Sequence, residues 1–246
     1  MLSRIKKSIL RRALGTITHV STQDSVVALT FDDGPHPIFT PELLEILKNH
    51  KAKATFFMIG KNAQRYPELV SDVAMAGHAI GNHTWDHSSL PLLTGRQRRA
   101  QIRACEKAIA PYGKRIFRPP YGHQSIASRL DAFWLGYQVI TWNVMAHDWL
   151  DHDANRLLDG LKNKIRPGCM VVFHDDLYAV REKHYANRQP TLKAVHMFLE
   201  RFSDQYSFIT VPELIRRGYP HRQNWYWEPD QEWISTLKMV EYNDLG

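Results

Sequence analysis

Seven short apolar stretches, separated by helical patterns, constrain this chain more than any other feature of its sequence. They fall at 26–31, 54–59, 78–82, 116–118, 138–142, 170–173 and 206–210, and are rich in Val, Ile, Phe and Thr. Runs of that length and composition read as buried strands. Between them, Thr40-Pro41-Glu42 reads as an N-cap with Pro in the first turn, ahead of Leu43, Leu44 and Leu47. Thr94 with Gln97 has the capping-box spacing before a helix toward Ala110, and Thr210 with Glu213 has it before Leu214 and Ile215. Residues 126–136, 154–165 and 191–202 also carry helical spacing. Seven strand–helix alternations imply parallel strands joined by helical crossovers. A closed or nearly closed α/β barrel, as a single domain, accounts for them better than two domains do.

Charge is distributed unevenly. The 246 residues hold 32 Lys and Arg against 25 Asp and Glu, a net +7. Residues 1–14 contain Arg4, Lys6, Lys7, Arg11 and Arg12 and no acid; without those five the balance is 27 basic to 25 acidic, or +2. A body so nearly neutral is not a nucleic-acid surface, so no nucleic-acid partner is expected. In the same opening segment Leu2, Ile5, Ile9, Leu10 and Leu14 recur at helical spacing. Such a basic amphipathic helix could make peripheral contact with an anionic membrane surface. The plain alternative is a frayed terminus, or one packed on the body. Arg11 and Arg12 interrupt any apolar signal region, and no run approaches the ~20 apolar residues of a membrane span. The expected location is therefore cytoplasmic or peripheral at the membrane. Cys105 and Cys169 form no disulfide framework and read as buried apolar residues.

The polar residues that follow the strands matter most, because strand ends in a parallel barrel converge on one face. Thr30-Phe31-Asp32-Asp33-Gly34-Pro35 sets two carboxylates side by side at a strand end, where alternation sends them in different directions. One can bind a metal while the other faces a reacting group; an Asp-rich turn is the bland reading. His83-Thr84-Trp85-Asp86-His87 offers two imidazoles four apart, able to share a metal from a helical turn or a tight loop. Joined by Asp33 they make three ligands and leave an open position, the arrangement of a catalytic rather than a structural metal. Arg118-Pro119-Pro120-Tyr121-Gly122 combines a fixed cation with a rigid backbone, or is simply a salt-bridged turn. A fourth cluster runs from Trp142 to Asp148-Trp149. In the fifth, His174 closes the apolar run Val172-Phe173 and precedes Asp175, which suits a general acid or a backbone-bonded strand end.

In this order the five clusters resemble the NodB-homology polysaccharide deacetylases, carbohydrate esterase family 4, over residues 24 to 217. Ala54-Thr55-Phe56-Phe57 and Thr210-Val211-Pro212-Glu213-Leu214 add to the match, and the Thr-Phe-Asp-Asp-Gly-Pro string is its most specific part. The resemblance implies a distorted (β/α)7 barrel and metal-dependent removal of acetyl groups from N-acetylated, sometimes O-acetylated, sugars. It implies Asp32 as catalytic base, with Asp33, His83 and His87 as metal ligands and His174 as catalytic acid. Arg118 would orient Asp32 and Asp148 would orient His174. The Tyr121 N–H would stabilise the oxyanion, and Trp149 and Val172 would wall the acetyl methyl. The metal would be one divalent ion, zinc by default, with cobalt, nickel or iron as substitutes. One departure stands out. Many members read Trp-x-x-Asp-x-x-Asp-Trp in the fourth motif, and here Met145 replaces the first Asp while Asp148 is kept.

The sequence thus divides into a basic N-terminal extension (1–22), a deacetylase domain (23–219) and an aromatic-rich C-terminal tail (220–246) with Trp225, Tyr226, Trp227 and Trp233. The partner is an acetylated glycan: peptidoglycan, a chitin-like oligomer, an exopolysaccharide or a lipid-linked sugar. The competing readings are an O-acetyl esterase or non-sugar amide hydrolase on the same scaffold, and a non-catalytic glycan-binding module. The polar connection at 176–190 is long enough to shape a substrate groove.

Overall fold

The computed structural model describes residues 15–180 and 182–223. The amphipathic reading of residues 1–14 and the tail aromatics from Trp225 onward lie outside the described residues. The strands are β1 (Thr16–Ser21), β2 (Val26–Asp32), β3 (Ala54–Met58), β4 (Ala79–Asn82), β5 (Gly113–Phe117), β6 (Gln138–Val139), β7 (Val144–Met145), β8 (Met170–His174), β9 (Ser207–Phe208) and β10 (Tyr219–Gln223). The helices are α1 (Phe39–Asn49), α2 (Gly60–Arg65), α3 (Pro67–Met75), α4 (Gly95–Ala108), α5 (Ile126–Trp134), α6 (Ala154–Lys162), α7 (Gln189–Phe202) and α8 (Val211–Arg216).

The parallel sheet runs β6-β5-β4-β3-β2-β8-β7, with β9 paired to the start of β2. It curls into an incomplete barrel, in keeping with the nearly closed α/β barrel expected from the alternation and with the distorted (β/α)7 form that the family resemblance implied. β6 and β7 are the two edges of the curl and do not pair. Strand β1 bridges toward the gap instead, through Ile17 and Ile140. Its other edge pairs antiparallel with β10. This ribbon has no counterpart among the seven sequence-read strands. β1 lies inside the stretch read as an extension, and β10 crosses the boundary read at 219/220. The reason is composition: Thr-Ile-Thr-His-Val-Ser and Tyr-Pro-His-Arg-Gln are too polar to signal a core strand. Yet Ile17 and Val20 are fully buried in the barrel interior with Ala28, Ile116, Ile140 and Met170. The two-residue strand β7 was also not separable from the stretch around Trp142.

Strand alternation decides which side chains reach the site. Val27, Leu29 and Phe31 of β2 face the outer layer, where Phe31 packs between Phe56 and Phe173 and beneath helices α1 and α7. Burying such a side chain contributes about 1.5–3 kcal/mol. The intervening Ala28, Thr30 and Asp32 therefore face the interior. Helix starts follow the capping rules at Thr94 and Ser125, both in capping boxes, and at Asp153 and Thr210. Thr40 is different. α1 begins at Phe39 without a side-chain cap, and the Thr40 hydroxyl donates to Asp175 Oδ2 at 2.5 Å. Both cysteines are free and buried, and burial pushes the Cys105 thiol up to about 12. No helix among the described residues is long and apolar enough to cross a membrane.

Candidate functional site

Asp32 is the last residue of β2, and Asp33 leaves the strand with φ 75°. The turn separates the two carboxylates, as strand alternation led one to expect. Asn62 Nδ2 donates to the Asp33 carbonyl at 2.8 Å, and the Ile59 N–H to the Gly34 carbonyl at 3.0 Å. Gly34 is required by crowding: a Cβ there would lie 2.3 Å from the Asp175 carboxylate. That carboxyl is buried, and burial pushes it up to about 7 against the opposing Thr40 hydrogen bond.

His83 and His87 come from a tight loop after β4 rather than from a helical turn. Thr84 and His87 adopt positive φ. Asn82 Oδ1 accepts from the Thr84 N–H, and Gln101 Oε1 accepts from the Trp85 and Asp86 N–H groups. The first amides of α2, Gly60 and Lys61, donate to the Thr84 and Trp85 carbonyls. The loop thereby satisfies a helix end that would otherwise have orphan donors.

Asp33 Oδ1 lies 3.4 Å from His83 Nε2 and 3.1 Å from His87 Nε2, and one donor atom from each of the three residues falls within 4.8 Å of the others. All three side chains are buried. His83 Nδ1 donates to the Arg118 carbonyl at 2.7 Å, which fixes the tautomer and leaves Nε2 as a lone-pair donor. Asp33 Oδ1 is buried with no hydrogen-bond partner among the described residues. Burial alone would raise the Asp33 pKa, but His87, then His83 and His174, together hold it well below the usual carboxylate range. Burial lowers the His87 pKa in spite of Asp33, which favours the neutral, ligating imidazole. Ligand bonds of about 2.0–2.1 Å in a tetrahedron put donor atoms about 3.3 Å apart. The spacing and chemistry of this set fit a small divalent cation.

Beside it, Arg118 is fully buried. It donates to Asp32 Oδ1 and to Thr30 Oγ1, both at 2.7 Å, and to the Thr141 carbonyl at 2.8 Å. Its guanidinium stacks 4.1 Å over the Phe57 ring. Two strand-alternate residues of β2, Thr30 and Asp32, thus share one cation. Tyr121, at φ 58°, places its ring edge-on to His87 at 4.4 Å.

Across the β2–β8 ladder, Asp32 pairs with His174. His174 Nδ1 lies 2.9 Å from Asp148 Oδ1, and its N–H donates to Asp148 Oδ2 at 2.9 Å. Burial pulls the imidazole pKa down, but Asp148 outweighs it, aided by Asp33 and Asp32, and the value rises to about 9. The Trp149 ring stands edge-on to His174 at 5.2 Å. Val172, one strand repeat before His174, is buried and paired with Thr30 and Met145. Met145 itself is half-buried in β7. All ten sequence-selected residues therefore gather at the C-terminal strand ends.

One residue of the 176–190 connection, expected only as part of a polar stretch able to shape a groove, has a different place in the structure. Arg188, just before α7, is fully buried. Its Nη2 donates to Asp148 Oδ2 at 2.5 Å and to Thr191 Oγ1 at 2.6 Å, and its Nη1 to the Asp148 carbonyl at 3.1 Å. Nε donates to the His174 carbonyl at 3.3 Å. Burial raises the Asp148 pKa, while His174 and Arg188 outweigh it and keep the carboxylate ionised. Arg188→Met should lower the unfolding free energy by about 3–5 kcal/mol, because it strands a buried carboxylate. Urea denaturation at neutral pH reads this directly; a loss below about 1 kcal/mol would mean the pair is not holding Asp148 in place.

The polysaccharide deacetylase family model matches residues 19–140. A chitooligosaccharide deacetylase of Azorhizobium caulinodans is 37% identical over 166 residues, covering 66% of this chain and 79% of the relative. A peptidoglycan-N-acetylglucosamine deacetylase of Bacillus cereus is 34% identical over 222 residues, covering 87% of this chain and all of the relative. A crystal structure of a peptidoglycan N-acetylglucosamine deacetylase superposes with a TM-score of 0.75 at 28% identity, covering 89% of this chain and 99% of that one. By the match along its sequence and by its fold, the chain belongs to the polysaccharide deacetylase family.

Proposed function

We propose that this chain hydrolyses the acetamide of N-acetylglucosamine units in a glycan polymer or oligomer, releasing acetate and a free amine. The observation that carries the reading is the convergence of Asp33, His83 and His87 between two prepared groups, the Arg118-held Asp32 and the Asp148-held His174. Asp33, His83 and His87 would hold one divalent cation, and zinc suits an Asp/His/His set. When bound, that ion supplies Lewis-acid polarisation of the acetyl carbonyl and of water.

The chain's own groups do the rest. Asp32 accepts the proton of the attacking water as the new C–O bond forms, and its bond to Arg118 keeps one oxygen fixed during the transfer. With Nδ1 committed to Asp148, His174 can deliver a proton only from Nε2. It gives that proton to the nitrogen as the C–N bond breaks. The Asp148 carboxylate favours the protonated form of His174, as an acid requires. The Tyr121 N–H sits on a backbone held in the left-handed region, which suits a rigid donor to the carbonyl oxygen. Trp149 and Val172 bound the space for the acetyl methyl.

The test is metal-reconstituted protein on chitooligosaccharides, peptidoglycan, acetylated xylan and small N-acetyl amides, with acetate read by mass spectrometry. Acetate with equimolar free amine from the glucosamine-containing glycans is the expected result. Release only from xylan, or only from non-sugar amides, would reassign the substrate.

A further inference from the structure

The connection that follows β8 reaches back over the ligand cluster at a residue outside the five motifs. The Tyr178 N–H donates to Asp33 Oδ2 at 3.0 Å, so the loop grips the carboxylate oxygen that does not face the imidazoles. Asn62 ties the same loop down by donating to Asp176 Oδ2 at 3.3 Å while it holds the Asp33 carbonyl. With its main chain anchored there, Tyr178 lays its ring against His87, with centroids 4.9 Å apart and planes 32° apart. The ring does not vanish into the core: the residue is 47% exposed.

We infer that Tyr178 is a specificity-determining residue that stacks on a sugar ring next to the one being deacetylated. The inference rests on the deacetylase reading and deepens it. The chemistry is complementary. A pyranose presents an apolar C–H face to the negative face of an aromatic ring. A tyrosine has two side-chain torsions to fix, and this one has its backbone already pinned, so little ordering cost offsets the contact. Position agrees as well. Tyr178 stands at the metal-ligand end of the site and the partly buried Trp149 at the His174 end. With the acetyl methyl against Trp149, the neighbouring sugar would pass on the Tyr178 side of the ligand cluster. Under this inference an N-acetylglucosamine tetramer is preferred over the free monosaccharide because of Tyr178.

Tyr178→Ala, Tyr178→Phe and Tyr178→Trp in the full metal-loaded chain test this, since none of the three removes the N–H that holds Asp33. The ratio of kcat/KM for the N-acetylglucosamine tetramer to that for the monomer should fall about tenfold in the Ala variant, through KM for the tetramer, and be kept by Phe and Trp. Calorimetric binding of the tetramer to metal-free protein should weaken about tenfold in parallel. An Ala variant whose ratio and tetramer affinity match the wild type, or whose tetramer and monomer activities fall equally, overturns the inference. Tetramer binding that weakens in the Ala variant, with no acetate released by the wild type from any glycan, would sink the deacetylase reading and leave of this inference only the sugar-stacking contact.

Discussion

Asp32→Asn should retain its metal and lose about 10³-fold in turnover, within the usual 10²–10⁴ for removing a general base. The substitution is nearly isosteric, so the carbonyl oxygen of the amide can still accept from Arg118, and the ligands are untouched. What is lost is the capacity to take a proton. The partner of a fully buried guanidinium also loses its charge, so some stability is lost alongside. Metal content by elemental analysis and a thermal melt separate the two effects from kcat. A folded, metal-replete Asp32→Asn protein that turns over at the wild-type rate would reject Asp32 as the base.

Asp33→Ala should abolish metal binding and activity together. It removes one of the three proposed ligands and leaves His83 and His87 facing a void. The loss of affinity should exceed the roughly 10–100-fold that follows from damage to a ligand's supporting partner. The Asp33 oxygens have separate duties: Oδ1 faces the imidazoles, and Oδ2 holds the Tyr178 N–H. Asp33→Asn keeps an acceptor for one of these but not the negative charge. It should bind zinc between the wild type and the alanine variant in competition against a chromogenic chelator. Zinc affinity in Asp33→Ala equal to that of the wild type would remove Asp33 from the ligand set.

Much of this site could be read from sequence because its residues sit on strands whose apolar alternation is strong. Val27, Leu29 and Phe31 fix the register of β2, and that register delivers Thr30 and Asp32 to the interior. The Asp32–Arg118 and Asp148–His174 pairs come from the family resemblance rather than from spacing, and the converging strand ends bring their members together. The remainder was illegible for identifiable reasons. Arg188 acts largely on main-chain carbonyls and on an ion pair 40 positions away, and neither leaves a pattern in residue types. Tyr178 reaches Asp33 through its amide, which every residue but proline possesses. Thr40 carries the composition of an N-cap, but a long-range carboxyl claimed its hydroxyl. The β1–β10 ribbon is held by its pairing and by two deeply buried side chains, Ile17 and Val20, which its polar surroundings hide.

Among the described residues, six that are not glycine have positive φ, and five of them, Asp33, Thr84, His87, Tyr121 and His147, ring the site. Each such conformation costs of order 1–3 kcal/mol and persists only where its neighbours over-determine it. Here the neighbours are protein groups: Asn82, Gln101, Asn62 and the loop after β8. The mould is thus cast before any ion arrives. A small finger domain is unfolded until loaded; here the hydrogen bonds of these protein groups predict a fold that survives chelation, which circular dichroism with and without EDTA checks. An ion held by Asp33, His83 and His87 would then be exchangeable without unmaking the fold, its identity set by what the surroundings supply.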